Sequence, residues 1–326
     1  MNILFLMLPL DTVVPEKDTS FALMLAAQAR GHRVFHLLHK DIAASAGKLT
    51  FSATEVVPRD GRPAADCFEV LSREQLTQDE ADVLFIRTDP PFDADYLTDT
   101  RLLDLAEPSQ LTVVNSPRGL QSVCEKLWAV RFPELTPRTL VTASQEQFHQ
   151  FLEEHERVVV KPADLFGGQG IFLLAKEDVN APVAFETLSE GGTKQVVVQE
   201  FLAEAKEGDK RILLLDGEPL GAILRKQQGE ADHRNNLFAG GVALPVELDA
   251  NDENIVATLR PFLKSLGLRF VGIDVIGGKL IEVNVTSPTC LRELEKFSGK
   301  DLAGQVVERV TQKAAGTTRD SSRREA

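Results

Sequence analysis

Residues 270–288 read FVGIDVIGGKLIEVNVTSP: two runs rich in β-branched residues around a Gly-Gly pair, the pattern of a β-hairpin. Three polar side chains, Asp274, Glu282 and Asn284, interrupt it. Side chains alternate along a strand, so Leu280, Glu282 and Asn284 are predicted on one face and Ile281, Val283 and Val285 on the other. Register then decides where Asp274 goes. A two-residue Gly277-Gly278 turn sets Asp274 opposite Ile281 and strands a carboxylate among aliphatic side chains, which is costly. A three-residue turn, Gly277-Gly278-Lys279, or a bulge of the same parity, sets it opposite Glu282. The second register is the predicted one. Two carboxylates so placed repel each other unless a cation lies between them. With an amide they form a hard oxygen set of the kind that holds Mg²⁺ together with phosphate. The residues alone also allow Glu282 and Asn284 simply to face solvent, as polar residues of half-buried sheets do.

The remaining chain reads as α/β. Strands are predicted at 3–8, 33–38, 82–87 and 111–115, and Asp18 caps a helix, SFALMLAAQAR, that Gly31 ends. This alternation predicts a parallel layer over residues 1–120. The turn after the first strand has no glycine, which removes the G-x-G-x-x-G dinucleotide fingerprint. A helix is predicted at 120–129, strands within 158–172 and 194–202, and a hairpin turning at Asp216-Gly217. Residues 226–243 form a long polar loop suited to a lid, followed by a helix at 252–266. Another helix is predicted from Ser287, as N-cap, with Pro288 in its first turn, where it could face an anion. The polar tail, 316–326, is predicted to be disordered.

Charge and cysteine usage narrow the function. Asp and Glu number 49 against 36 Lys and Arg, a net charge of −13, which argues against general nucleic-acid binding. Any anionic ligand must then be held by local cations. Cys67, Cys124 and Cys290 lack metal-ligand spacing and point to a reduced, cytoplasmic compartment. The opening apolar run is short and meets Asp11, so it reads as a strand and not as a signal peptide, and no apolar stretch is long enough to span a membrane.

Two further stretches could carry chemistry. In VVVKPADLFGGQGIF, a strand ends at Lys161, and a loop with Gly167, Gly168 and Gly170 returns directly into a strand. Walker A would need G-x-x-x-x-G-K-[ST] feeding a helix, which is absent. Glycines allow a backbone whose N–H groups converge on one anion, yet a merely flexible hairpin explains them equally. Lys126, in CEKLW, lies at a predicted domain junction. It is either a solvated lysine or the partner of Lys161 across a polyphosphate. Arg211, Arg225 and Arg234 suit bidentate carboxylate recognition, with plain surface charge as the alternative. His233 is given no role.

The order of these pieces resembles the prokaryotic glutathione synthetases of the ATP-grasp superfamily, over residues 2–312. The resemblance is carried by KDTSFALMLAAQARG, IRTDPPFD, EKLW, LTPRTLVT, KPADLFGGQGIF, GDKRILLLDGEP, FVGID and GGKLIEVNVTSPTC. It implies an N-terminal pre-ATP-grasp α/β domain at 1–120 and a two-part ATP-grasp domain of antiparallel sheets with helices. The small subdomain, with the glycine-rich loop, would span 121–202. The C-terminal subdomain, with lid and metal site, would span 203–315. By the same resemblance Lys126 and Lys161 would contact ATP phosphates beneath Gly167, Gly168 and Gly170. Gln199, Glu200, Phe201 and Leu202 would form the adenine-facing hinge, with Asp209 near the ribose. Asp274, Glu282 and Asn284 would hold Mg²⁺, with Mn²⁺ as a substitute. Arg211, Arg225 and Arg234 would face substrate and transferred phosphoryl, and Ser287 and Thr289 would touch the substrate.

The implied reaction joins γ-glutamylcysteine to glycine through an acyl phosphate, releasing ADP and phosphate, in a cytoplasmic homo-oligomer of up to four copies. Such chemistry needs positioning and charge neutralisation and no protein nucleophile, so Cys290 is expected to be a buried structural thiol. The chain departs from the family pattern at Leu165, where glycine is usual, at Cys124 and Glu200, and in the lid, KQQGEADHR after Arg225. The altered lid motivates a second reading: a ligase of the same mechanism with another amine or acyl partner. A nucleotide-binding regulator without turnover is the third, and the intact metal set argues against it.

Overall fold

The computed structural model describes residues 1–107, 110–165, 167–227 and 241–321. The N-terminal seven-stranded sheet comprises β1 (Asn2–Leu6), β2 (Arg33–Leu37), β3 (Ile42–Ser45), β4 (Lys48–Pro58), β5 (Phe68–Thr77), β6 (Val83–Ile86) and β7 (Thr112–Val114). Only β2–β1–β6–β7 pair in parallel; β3, β4 and β5 add an antiparallel arm. The predicted parallel layer is therefore half of a mixed sheet. The arm was missed because 42–77 has mostly polar residues on its outer face and little of the apolar continuity of a buried strand. Helix α1 (Thr19–Ala29) starts as predicted, with the Asp18 carboxylate accepting from the Phe21 N–H. Helix α2 (Ala94–Leu103) lies between β6 and β7.

The helix predicted at 120–129 is two short ones, α3 (Pro117–Ser122) and α4 (Glu125–Ala129). Val123 and Cys124 between them take extended conformations, and the break brings Lys126 into the second position of a new helix. A four-stranded antiparallel sheet follows: β8 (Thr139–Thr142), β9 (Arg157–Pro162), β10 (Phe172–Ala175) and β11 (Val196–Glu200), covered by α5 (Gln145–His155) and α6 (Ala181–Leu188). It has its own core, in which Phe148 and Phe185 stack at 4.4 Å.

The third sheet is β12 (Asp209–Leu215), β13 (Glu218–Lys226), β14 (Val242–Val246), β15 (Phe270–Ile276) and β16 (Lys279–Asn284), in the order β14-β13-β12-β15-β16, all antiparallel. Asp216 and Gly217, at φ 52° and 78°, make the predicted two-residue turn between β12 and β13. Helix α7 (Ala250–Ser265) packs on this sheet, and one apolar cluster runs from Leu4 and Leu84 to Ile212, Val271 and Val283. The N-terminal and C-terminal sheets thus share a core that the small sheet does not. Helices α8 (Leu291–Ser298) and α9 (Leu302–Ser321) close the chain; α9 takes in the first six residues of the stretch 316–326. Among the described residues no helix is long and apolar enough to cross a membrane.

A buried asparagine joins the two larger sheets. Asn115, following β7, donates from Nδ2 to the carbonyls of Phe270 (2.8 Å) and Val285 (2.7 Å). Its Oδ1 accepts from the N–H groups of Arg269 (2.8 Å) and Phe270 (2.9 Å). Asn115→Ala would orphan four buried backbone groups. It is expected to lower the unfolding free energy by roughly 2–5 kcal/mol, and the midpoint of a urea titration reads the change.

Candidate active site

The hairpin reaches the predicted parity by the second of the two expected routes, a bulge. Ile276 pairs with Lys279, so the turn has two residues, and Gly277 and Gly278 both take positive φ, 55° and 73°. A register shift then leaves Ile281 unpaired, after which Asp274 faces Glu282 and Gly272 faces Asn284. The bulge exchanges two side chains relative to expectation. Leu280 joins the core beside Val275 and Val283, while Ile281 turns into the cleft with Glu282.

That cleft is lined by Lys126, Lys161, Gly167, Gly168, Gln199, Glu200, Phe201, Leu202, Asp209, Arg211, Arg225, Asp274, Glu282 and Asn284. Fourteen of the predicted positions therefore share one cavity. Gly170, Ser287 and Thr289 do not line it, and Arg234 and His233 lie outside the described residues. The cleft's apolar walls, Val159, Ile171, Ile276 and Ile281, were not anticipated. Val159 was within reach of alternation, since it sits two residues before Lys161 on β9.

Strand pairing assembles the charges. Asp274 on β15 lies directly opposite Arg211 on β12, and Asp209 on β12 opposite Arg225 on β13. Arg211 clasps the Asp274 carboxylate with Nε and, at 2.9 Å, Nη2; Arg225 reaches Oδ2 of the same group from Nη2 at 3.0 Å and holds Asp209 with Nε. Burial alone would raise the Asp274 carboxyl, but the two guanidiniums hold it well below the usual carboxylate range. Burial pushes Asp209 up, against the pull of Arg225. Asn284 donates to Asp274 at 3.4 Å.

The lysines approach from the other side. Lys126 donates to the Leu165 carbonyl and lies 3.3 Å from Oε1 of Glu282. Lys161 is buried and donates to Oε1 of Gln199 at 2.6 Å. Burial and the neighbouring Lys126 charge lower its ammonium to about 8, although Glu282 pulls the other way. Lys161 lies on β9, and the loop beyond that strand needs its glycines: Gly167, Gly168 and Gly170 all take positive φ, and a Cβ on Gly170 would meet Pro162 at 2.9 Å. Asp274, Glu282 and Asn284 supply two carboxylates and an amide oxygen, donors that suit a hard divalent cation completed by phosphate.

Glu125, unremarked in the sequence, ties this site together. Its Oε1 accepts from the N–H groups of Val285 (2.7 Å) and Thr286 (3.0 Å) and from the Thr286 hydroxyl (2.9 Å). The carboxylate beside Lys126 thereby pins the end of the strand that carries Glu282 and Asn284. Burial, then the nearby Glu282 charge, pushes the Glu125 carboxyl up. Ser287 does not cap a helix. Residues 285–290 form a loop, α8 begins only at Leu291, and the residue before it, Cys290, is left-handed at φ 84°. Thr289 instead accepts from Arg211 at 3.4 Å, and Arg87 donates to the Pro288 carbonyl at 3.0 Å. Cys290 is buried as expected, and burial raises its thiol.

Comparison with known proteins identifies the family. The family model for the prokaryotic glutathione synthetase N-terminal domain matches residues 1–121, and that for the prokaryotic glutathione synthetase ATP-grasp domain matches 125–299. The glutathione synthetase of Vibrio parahaemolyticus is 39% identical over 308 residues, 94% of this chain and 97% of that one. The glutathione synthetase of Coxiella burnetii is 40% identical, covering 96% and 97%. Among solved structures, D-cycloserine synthetase DcsG superposes with a TM-score of 0.65 at 15% identity, covering 96% and 99% of the two chains. The ATP-grasp ligase PsnB, complexed with minimal precursor, Mg and ADP, superposes with a TM-score of 0.60 at 18% identity, over 96% and 98%. The fold is thus that of ATP-grasp ligases, and the chain belongs to the prokaryotic glutathione synthetase family of ATP-dependent carboxylate–amine ligases.

Proposed function

We propose that this chain joins γ-glutamylcysteine to glycine through an acyl phosphate. The observation that carries the reading is the convergence of Lys126 and Lys161 with Asp274, Glu282 and Asn284 on one cleft. The apolar walls Val159, Ile171 and Ile276 would sandwich the nucleotide base beside the 199–202 hinge, with Asp209 towards the ribose. Lys126, Lys161 and the N–H groups of the 167–170 loop would hold phosphates. Asp274, Glu282 and Asn284 would hold Mg²⁺, or Mn²⁺ in its place; when bound it would neutralise charge on the phosphates.

Arg211 and Arg225 would orient the cysteinyl carboxylate. One of its oxygens attacks the γ-phosphorus and the bond to the β-phosphate oxygen breaks, giving ADP. The glycine amine then attacks the acyl carbon, loses a proton, and phosphate leaves. No protein nucleophile is needed. Cys124 lies at an exposed position, but partial desolvation around its sulfur still pushes the thiol up, away from the thiolate.

Mass spectrometry of the product from γ-glutamylcysteine, glycine and Mg-ATP tests the reaction. Transfer of a labelled carboxylate oxygen into phosphate tests the acyl phosphate. A panel of amines in the same assay separates glycine from the alternatives, and no product with glycine would overturn the assignment. Unpaired Cys67, Cys124 and Cys290 support a cytoplasmic setting. A homo-oligomer of up to four copies completes the reading. The domain division at 120 and 202 belongs to it as well, and the separate core of the small sheet supports that division.

The Lys161 ammonium adds a pH signature. Between about 8 and its ordinary value of 10.5, the unfolded chain keeps a proton that the folded chain has lost. Stability from this group therefore rises with pH across that window, and its burial cost is complete below it. Phosphate affinity has the opposite sign. Above pH 8 the free enzyme should bind ATP about tenfold more weakly per pH unit, and Lys161→Arg, which stays charged, should remove that limb from a plot of dissociation constants.

A further inference from the structure

Two of the chain's departures from the family pattern, Cys124 and Leu165, come together in space. Both line a second cavity beside the cleft, whose walls include Phe92, Leu120 and Val123. Leu165 and Lys126 line the cleft as well, so they form part of the wall between the two cavities. Here the start of α4 holds the glycine-rich loop at two carbonyls. The Cys124 thiol donates to that of Ala163 at 3.6 Å, and Lys126 Nζ donates to that of Leu165. An ammonium has three N–H donors. The Leu165 carbonyl takes one and Glu282 lies 3.3 Å away, so at least one remains for a phosphate in the cleft.

The backbone makes different demands along this loop. Gly167, Gly168 and Gly170 take positive φ, which favours glycine, whereas Leu165 does not. A glycine at 165 would therefore reach no conformation that the loop needs. It would only add freedom that is lost whenever the loop is ordered. The leucine side chain also packs against the returning part of the loop. Its Cδ1 lies 3.6 Å from where a Cβ on Gly170 would stand, beside Pro162. Leu165 is thus half-buried between the cleft and the apolar residues of the second cavity.

We propose that Leu165 is a positioning residue that orders the glycine-rich loop over Lys126 before nucleotide binds, so that the phosphates meet a loop whose ordering cost has already been met. This rests on the assignment of the cleft to nucleotide. Leu165 acts through the backbone that its side chain fixes and through the lysine that its carbonyl aims.

Two measurements on the full chain test this. Limited proteolysis by subtilisin, with the cuts mapped by mass spectrometry, reads the loop without nucleotide, and calorimetric titration with Mg-ADP reads the consequence. Without nucleotide, Leu165→Gly should be cut in the loop at least about threefold faster than the wild type; with saturating Mg-ADP the two rates should match. Leu165→Gly should also bind Mg-ADP about 2- to 5-fold more weakly. Leu165→Met, of similar volume, should return both quantities to within about twofold of wild type. Equal cutting of the wild type and Leu165→Gly without nucleotide, unchanged or tighter Mg-ADP binding by Leu165→Gly, or the same defects in Leu165→Met would each overturn the proposal. Cutting that depends on Leu165 in a wild type that does not bind Mg-ADP would instead overturn the nucleotide assignment and uphold the ordering role.

Discussion

Asp274→Ala is expected to lower the unfolding free energy by roughly 3–5 kcal/mol and to abolish turnover. The carboxylate is 6% exposed and is the shared acceptor for Arg211 and Arg225, themselves 6% and 4% exposed. Removing it leaves two guanidiniums side by side on the cleft wall, with Asp209 the one acid among the described residues still in contact with Arg225. Each guanidinium would then have lost a charged acceptor, and water entering from the cleft they line replaces the hydrogen bond but not the charge. A buried ionic cluster of this kind adds little net stability over apolar packing, but it makes each member hard to remove. Urea unfolding followed by far-UV circular dichroism measures the loss. A change below about 1 kcal/mol would show that the cluster is hydrated and loosely held.

The features legible in the sequence were those with a local signature. Alternation placed Asp274 and Glu282 across from each other, because the opposite parity would have buried a carboxylate. It could not separate a three-residue turn from a two-residue turn with a bulge, since both give that parity. The structure uses the bulge because Gly277 and Gly278 together fit a tight turn, and the extra residue, Ile281, then lines the cleft. The Asp18 cap and the Asp216-Gly217 turn were equally local. What escaped depends on pairing at a distance. Arg211 meets Asp274 across 63 residues through the β12–β15 register, and no spacing within either strand announces it. Asn115 and Glu125 are single polar residues beside ordinary strands and helices. Their importance lies in the backbone groups, about 155 to 170 residues away, that they satisfy. Ser287 and Pro288 imitate a helix start, but the Arg87 contact to Pro288 and left-handed Cys290 delay the helix to Leu291.

Glu282→Gln should separate chemistry from stability. Turnover is expected to fall about 10²- to 10³-fold, with the urea midpoint close to that of the wild type. The difference from Asp274 is environmental. The Glu282 side chain is 18% exposed and, among the described residues, its one ion pair, with buried Lys126, is 3.3 Å long; Lys126 keeps the Leu165 carbonyl as an acceptor, so the substitution weakens one contact without leaving the ammonium unpaired. It also removes a negative charge that helps push the Glu125 carboxyl up, which offsets part of the cost. An amide keeps the size and one oxygen but not the charge that would draw a divalent cation to the phosphates, so the defect should deepen as Mg²⁺ is lowered and ease as it is raised. Steady-state ADP release across a Mg²⁺ titration measures both. Turnover within about threefold of wild type at limiting Mg²⁺ would remove Glu282 from the metal set. It would leave Asp274 to act mainly as the counter-ion of the two arginines.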